Sequence, residues 1–228
     1  MDKLKVGLLN DFRKYFFDPA ERGTEKTELF SGNGEQVTFE LSQPSLMFVK
    51  TVKVYDVDKK LNRDYYIDFG TGSKNGTITF ITAPSEDDDN IEVVYEFGSN
   101  WIYPGFPQDI SRNMPRMGLM LTGARHKPAG MSEKAEYVDA SFRLGIWVKS
   151  GGGEYYTING MVYSGDKLLD YLYNDISQKV IALRRDYDEP YNVITIKIGN
   201  VTDIPFDEEN KISRKELSID IMYKKMYD

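Results

Sequence analysis

The chain has no cysteine, a single histidine and no long apolar run. Without cysteine there is no disulfide framework, no thiolate chemistry and no cysteine-ligated zinc, so the fold rests on packing. The same absence suits a reducing cytosol, including a particle assembled there and released later. No stretch approaches the ~20 apolar residues that span a bilayer. The opening "MDKLKVGLLNDF" lacks the uninterrupted apolar core of a signal peptide. The expectation is a soluble protein made in the cytosol, with no membrane partner. A basic excess is also missing, since the formal net charge is −7. Gripping nucleic acid by its phosphates needs a basic face, so tight DNA binding is not expected. An acidic surface can still border DNA that slides past, because like charges repel over about a Debye length.

The 228 residues suffice for one large domain or two modest ones, and a fold of that size buries roughly 70% of its unfolded surface. Aromatics make up 13% of the chain, with sixteen tyrosines, a composition that favours strands and protein contacts. Leu4, Leu8, Leu9, Phe12 and Phe16 recur at helical spacing and stop at Asp18-Pro19, which predicts an amphipathic first helix. From Thr27 to Phe97 the pattern becomes short alternating runs broken by glycine. Five strands are expected there, with Asn75-Gly76 as a hairpin turn because both turn positions favour positive φ. "GSNWIYPGFPQDISRNMPRMG" holds three prolines and reads as a linker. Beyond it, "MGLMLTGA" and "YVDASFRLGIWVKS" read as strands, the second with Phe142, Leu144, Ile146 and Val148 on one side. Ser164 stands where it would cap a helix reaching about Arg185, striped by Leu168, Leu169, Leu172, Ile176, Val180 and Leu183. "NVITIKIGNV" and "KELSIDIMYKKM" are the last two strands, so the second half reads as one helix on an antiparallel sheet.

The segments that could carry chemistry lack the partners it needs. His126 lies in "GARHKPAG", a reading that makes it an exposed loop residue without the orienting group and nucleophile a general base requires. The acidic runs "SEDDDN" and "DVDKKLNRD" lack the glycine and distal glutamate of a Ca²⁺ loop. "SGGGE" lacks the lysine and Ser/Thr of a phosphate loop. No catalytic, cofactor or metal residues are assigned, and the chain reads as a non-enzyme. In "TDIPFDEENKISR", Pro205 is expected to fix a turn, Phe206 to anchor it, and Asp207, Glu208 and Glu209 to stay in water.

The phrases "FPQDISRNMPRMGL", "FRLGIWVKS", "SGDKLLDYLYNDISQKVIAL", "NVITIKIGNV", "PFDE" and "ISRKELSIDIMY" follow one another in an order that resembles the tail terminator proteins of long-tailed bacteriophages. The order also overlaps related neck, head–tail joining and tail-completion proteins. The resemblance implies an α+β fold, an antiparallel sheet with two main helices, built from residues 1–22 and 101–228. Residues 23–100 would be an inserted small all-β module, itself similar to small β modules in phage structural proteins. It further implies a virion structural protein, assembled in the host cytoplasm, that forms a hexameric ring at the head-proximal end of the tail. Its partners would be further copies, the tail-tube protein and a head-completion or connector protein, with DNA passing through the lumen without sequence-specific binding. Arg112, Arg116, Asp207, Glu208, Glu209 and Arg214 are the expected contact residues. The alternative is a tail accessory that binds a receptor or carbohydrate through the tyrosine-rich β module, since aromatic faces suit sugar rings.

Overall fold

The computed structural model describes residues 3–70, 73–106, 114–129, 135–151, 153–183 and 192–226. The chain divides into two compact units, Met1–Phe17 with Glu21–Asn100, and Asp18–Ala20 with Trp101–Asp228. The architecture is α+β, with mostly antiparallel sheets and two helices.

The first unit contains α1 (Lys3–Tyr15), β1 (Gly23–Gly32), β2 (Thr38–Pro44), β3 (Leu46–Val54), β4 (Val57–Asp58), β5 (Tyr65–Asp68), β6 (Asn75–Phe80) and β7 (Asp87–Gly98). They form a four-stranded sheet in the order β1-β7-β3-β4 and a three-stranded sheet in the order β2-β6-β5. Inward residues of both sheets share one core, with Phe39, Leu41, Ile67, Ile78 and Phe80 on one side and Val49, Val52, Ile91, Val93 and Tyr95 on the other. The five expected strands are present, and β1 and β4 join them. Strand β1 escapes pattern reading because it is an edge strand whose residues are mostly charged or exposed.

The domain boundary differs from expectation. Helix α1 groups with residues 21–100 rather than with 101–228, and the reason is a set of side-chain bonds to the β3 backbone. Strand β4 pairs only with Lys53 and Val54, which leaves the earlier part of that edge of β3 without a strand. Buried Asn10 donates to the Val49 carbonyl at 3.2 Å and accepts from its N–H at 2.9 Å. Arg13 donates to the Met47 carbonyl at 2.8 Å, and Lys14 to the Lys50 carbonyl at 3.0 Å. A helix thus covers a strand edge that would otherwise be open.

The expected Asn75-Gly76 turn is also corrected. Both residues lie in β6, and neither has a positive φ; among the described residues between β5 and β6, the left-handed glycine is Gly70, at φ 68°. Gly76 is needed for space, since a Cβ there would stand 2.5 Å from a methyl of Leu46.

One polar network ties the two sheets together. Glu28 on β1 accepts bonds from the N–H of Ser42 on β2 (3.0 Å), from the Ser42 hydroxyl and from the Tyr95 hydroxyl (2.7 Å), and it pairs with Lys26 at 3.0 Å. Burial works to raise the carboxyl's pKa, but the Ser42, Tyr95 and Lys26 bonds outweigh it and hold it below its ordinary value. Burial, then the bond to Glu28, pushes the Tyr95 phenol up to about 12.

The second unit contains β8 (Ile102–Tyr103), β9 (Arg116–Pro128), β10 (Ala135–Lys149), β11 (Tyr156–Ile158), β12 (Met161–Tyr163), α2 (Gly165–Ala182), β13 (Val193–Asp207) and β14 (Ile212–Met226). Its main sheet runs β13-β14-β10-β9-β8, antiparallel except for the short parallel β8–β9 pair. Val138, Ala140, Phe142, Leu144, Ile146 and Val148 of β10 and Leu217, Ile219 and Ile221 of β14 are buried. Helix α2 packs across β10, β14 and β13, with Leu168, Leu169, Leu172, Ile176 and Val180 buried. One helix on an antiparallel sheet is the expected arrangement for this half. Ser164 occupies the N-cap position, but its side chain makes no capping bond. Arg184, Arg185 and part of the expected linker lie outside the described residues. The described part of that linker is no spacer, because Trp101 and Ile102 are buried and β8 joins the sheet.

Two outcomes check this account. Asn10→Ala leaves the Val49 N–H and carbonyl without their partner in a buried place, and should cost the first unit about 2 to 4 kcal/mol in urea unfolding. Glu28's folded pKa lies below its ordinary 4.5, so its contribution is present above that value and lost as pH falls through the folded one. Glu28→Gln should therefore flatten the fall in stability below about pH 4.5, read by thermal melts across the acid range.

Candidate assembly surface

Along β10, side chains on the face away from α2 alternate with the buried apolar ones: Asp139, Ser141, Arg143, Gly145 and Trp147. Trp147 is the exception to a polar pattern, and it is 2% exposed. Its indole lies flat back along its own strand, because a Cβ on Gly145 would fall 2.4 Å from the ring. Gly118, the cross-strand partner of Gly145, gives the same clearance to the backbone of Gly105 and the ring of Phe106. Phe106 meets Trp147 edge-on at 5.1 Å between centroids. Met114 and Ile212 complete a small apolar cluster with them.

Two of the expected contact arginines flank this cluster. Arg116 and Arg214 are the cross-strand partners of Trp147 on its two sides. The Arg214 guanidinium stacks 4.8 Å from the Trp147 ring and 5.2 Å from Phe106, and it bonds to Glu216. Arg143 approaches the other Glu216 oxygen at 3.5 Å. Arg116 is buried, with its guanidinium 5.3 Å from the Tyr103 ring. Both arginines are therefore packed against aromatic rings within this layer. Arg112 lies outside the described residues. Sequence reading missed Trp147, Glu216 and Arg143; the signal available was a tryptophan in polar phase on an alternating strand, which implies something lying over it.

The acidic segment is not the loop expected. Thr202–Asp207 continues β13, and the turn to β14 falls at 208–211. Phe206 is 44% exposed and anchors nothing in the core. Asp207 shapes the turn by accepting from the Asn210 N–H at 3.0 Å and its side-chain amide at 2.9 Å, bonds that hold its carboxyl below the ordinary range. Glu208 and Glu209 are exposed. His126 is likewise displaced from expectation: it sits on β9 with Nδ1 2.7 Å from Glu136, an orienting carboxylate. No hydrogen bond from His126 to a hydroxyl nucleophile appears among the described residues.

The last strand, β14, is interior, paired with β10 on one side and β13 on the other. The outer strands are β13 and the two-residue β8. Strand β13 is fifteen residues long and exposes Ile194, Val201 and Phe206. On the other side β8 pairs only with Met117 and Gly118, so the rest of β9 to Pro128 has no outer neighbour among the described residues. In the first unit, a cleft of about 310 Å³ opens between Tyr55, Lys59, Arg63, Asp64 and Ile81–Ser85.

No protein-family model and no curated protein matches the chain. Among the described residues, no helix is long and apolar enough to cross a membrane.

The glycine floor is testable. Gly145→Ala should drive the Trp147 ring off the sheet, cost about 1 to 3 kcal/mol, and red-shift tryptophan emission; an unchanged spectrum and melting temperature would contradict the packing described.

Proposed function

We propose that the protein is a phage virion structural protein that forms a ring at the head-proximal end of the tail, ending tail-tube growth and joining tail to head. The observation that carries this reading is the open sheet of the second unit, with a fifteen-residue edge strand and apolar side chains exposed along it. Long bare edges are normally blunted because they invite pairing with another chain. A protein that works by assembly has a use for one. The order of sequence phrases described above supports the same reading. The tail-tube protein and a connector protein are the further partners on this reading, and DNA passes through without being read.

A second reading is favoured by the cleft of the first unit, where Tyr55 is 48% exposed beside Lys59 and Arg63. There the protein would be a tail accessory binding host carbohydrate.

Gold-labelled antibody on particles from the source lysate separates the two. Label at the junction of head and tail is expected; label at the tail tip would move the assignment to the second reading. Glu208→Lys with Glu209→Lys should lower infectious titre while leaving circular dichroism unchanged, because both side chains are exposed. Normal titre from that variant would remove the acidic turn from the contact surface.

A further inference from the structure

We propose that Asn159 is a site of self-modification, where the side-chain amide is lost to water through attack by the Gly160 nitrogen, and that the fold protects the other two Asn-Gly pairs. The proposal goes beyond the ring-forming reading and does not rest on it.

Asparagine before glycine is chemically labile because glycine has no side chain to hinder its own nitrogen. The Gly160 nitrogen attacks the side-chain carbonyl carbon of Asn159 and gives up its proton. The side-chain nitrogen takes a proton and leaves as ammonia, which closes a cyclic imide. Water then opens the imide at either carbonyl. One opening gives aspartate. The other gives isoaspartate, in which the main chain runs through the former side-chain carbonyl and is longer by one methylene. Nothing is oxidised or reduced, and water is the only co-reactant.

The three Asn-Gly pairs are Asn33-Gly34, Asn75-Gly76 and Asn159-Gly160, and the structure treats them differently. The Asn33 side-chain oxygen accepts from the N–H of Glu35 at 3.0 Å and of Gln36 at 2.6 Å. The Gly34 N–H, whose nitrogen would have to attack, donates to the Pro84 carbonyl at 2.9 Å. Gly76 is buried in β6, the central strand of its sheet, and the Asn75 amide donates to Glu40 at 3.0 Å. Asn159 and Gly160 are both exposed. Among the described residues, no hydrogen bond holds the Asn159 side chain or the Gly160 N–H. A Cβ on Gly160 would meet nothing within 4 Å, so the space beside the turn is open.

Imide closure needs the backbone at Asn159 to rotate out of its left-handed turn, where φ is 51° and 78° at the two residues. The β11–β12 ribbon permits that rotation. It has three residue pairs and no third strand, and a two-stranded ribbon is marginal by itself. Its base is held, by the Tyr156 hydroxyl donating to the Met114 carbonyl at 2.8 Å and by Tyr163 against Tyr171 at 4.8 Å between centroids. At the tip Ile158 is buried but its partner Met161 is 62% exposed, so the turn opens from the β12 side with the base in place. The product puts a carboxylate beside Met161 and Val162, two exposed apolar residues. Its isoaspartyl form also lengthens a two-residue turn, which can then no longer set Ile158 opposite Met161.

The test is to age the full chain in warm, mildly alkaline buffer, folded and in urea, and to follow each Asn-Gly peptide by mass spectrometry after trypsin digestion. Cleavage at Lys149 and Lys167 yields residues 150–167, which hold no other side-chain amide. In the folded chain Asn159 should convert first, to a mixture of aspartate and isoaspartate. The three hydrogen bonds at Asn33 and Gly34 should slow that pair roughly a hundredfold relative to Asn159. In urea the three pairs should convert at similar rates. Equal rates in the folded chain would overturn the proposal, and so would an Asn159 that converts only in urea. A preference for Asn159 that persists undiminished in urea would overturn it as well, because neighbouring residues rather than the fold would then set the rate.

Discussion

The second unit is governed by a mismatch of lengths. Helix α2 has eighteen residues, about 27 Å at 1.5 Å per residue. Strands β10, β13 and β14 have fifteen each, about 50 Å. One helix cannot cover such a sheet. Ser213 bonds to Asp166 and Lys215 to Asp170, so the helix begins over the Lys149–Ile212 end. At the far end the face that α2 covers turns from leucine and isoleucine to ions, with Glu136 between His126 and Lys225. On the opposite face Lys127 meets Asp139 at 2.7 Å. Exposed pairs of this kind add little stability. They keep a two-sided, water-exposed end of a sheet in register without asking for a second helix.

The uncovered face near the other end is managed differently. Trp147 supplies the apolar area that a second helix would have supplied, Gly145 lets its ring lie flat, and Gly118 lets Phe106 come over it. Arg116 and Arg214 stand on either side of it along the row, and Arg214 stacks on the ring. Glu216, buried to 9% exposure, takes the charge of Arg214 and Arg143. A buried carboxylate needs such partners, because an unpaired charge taken out of water is costly. The result is a closed layer at one end of the sheet and edges without a neighbouring strand among the described residues at the other. The first unit meets the edge problem inside its own fold, with α1 side chains bonding the β3 backbone.

Much of this was legible in the chain. The stripe of α2, the alternation of β10 and β14, five strands of the first unit and the α+β class follow from period alone, because burial of one face forces that period. What period cannot convey is which unit a helix joins: the stripe of α1 is the same whatever it packs on, and the decision lay with Asn10 and Arg13 reaching a strand some 35 to 40 residues away. Nor does period show which strands are edges. Both of the last two strands alternate, yet β14 is interior and β13 is outside.

Two of the three Asn-Gly pairs show where the division falls. Asn159-Gly160 turns the β11–β12 hairpin, with φ of 51° and 78°, whereas Asn75-Gly76 lies in a strand because Leu46 occupies the space above the glycine. The dipeptide is identical, so local preference permits a turn at both places. By itself the sequence determined what each segment is able to become and which face of it must be buried. Only the tertiary structure decided which neighbour fills that face, which edge is left open and which glycine turns, because those outcomes depend on residues far apart in the chain competing for the same space.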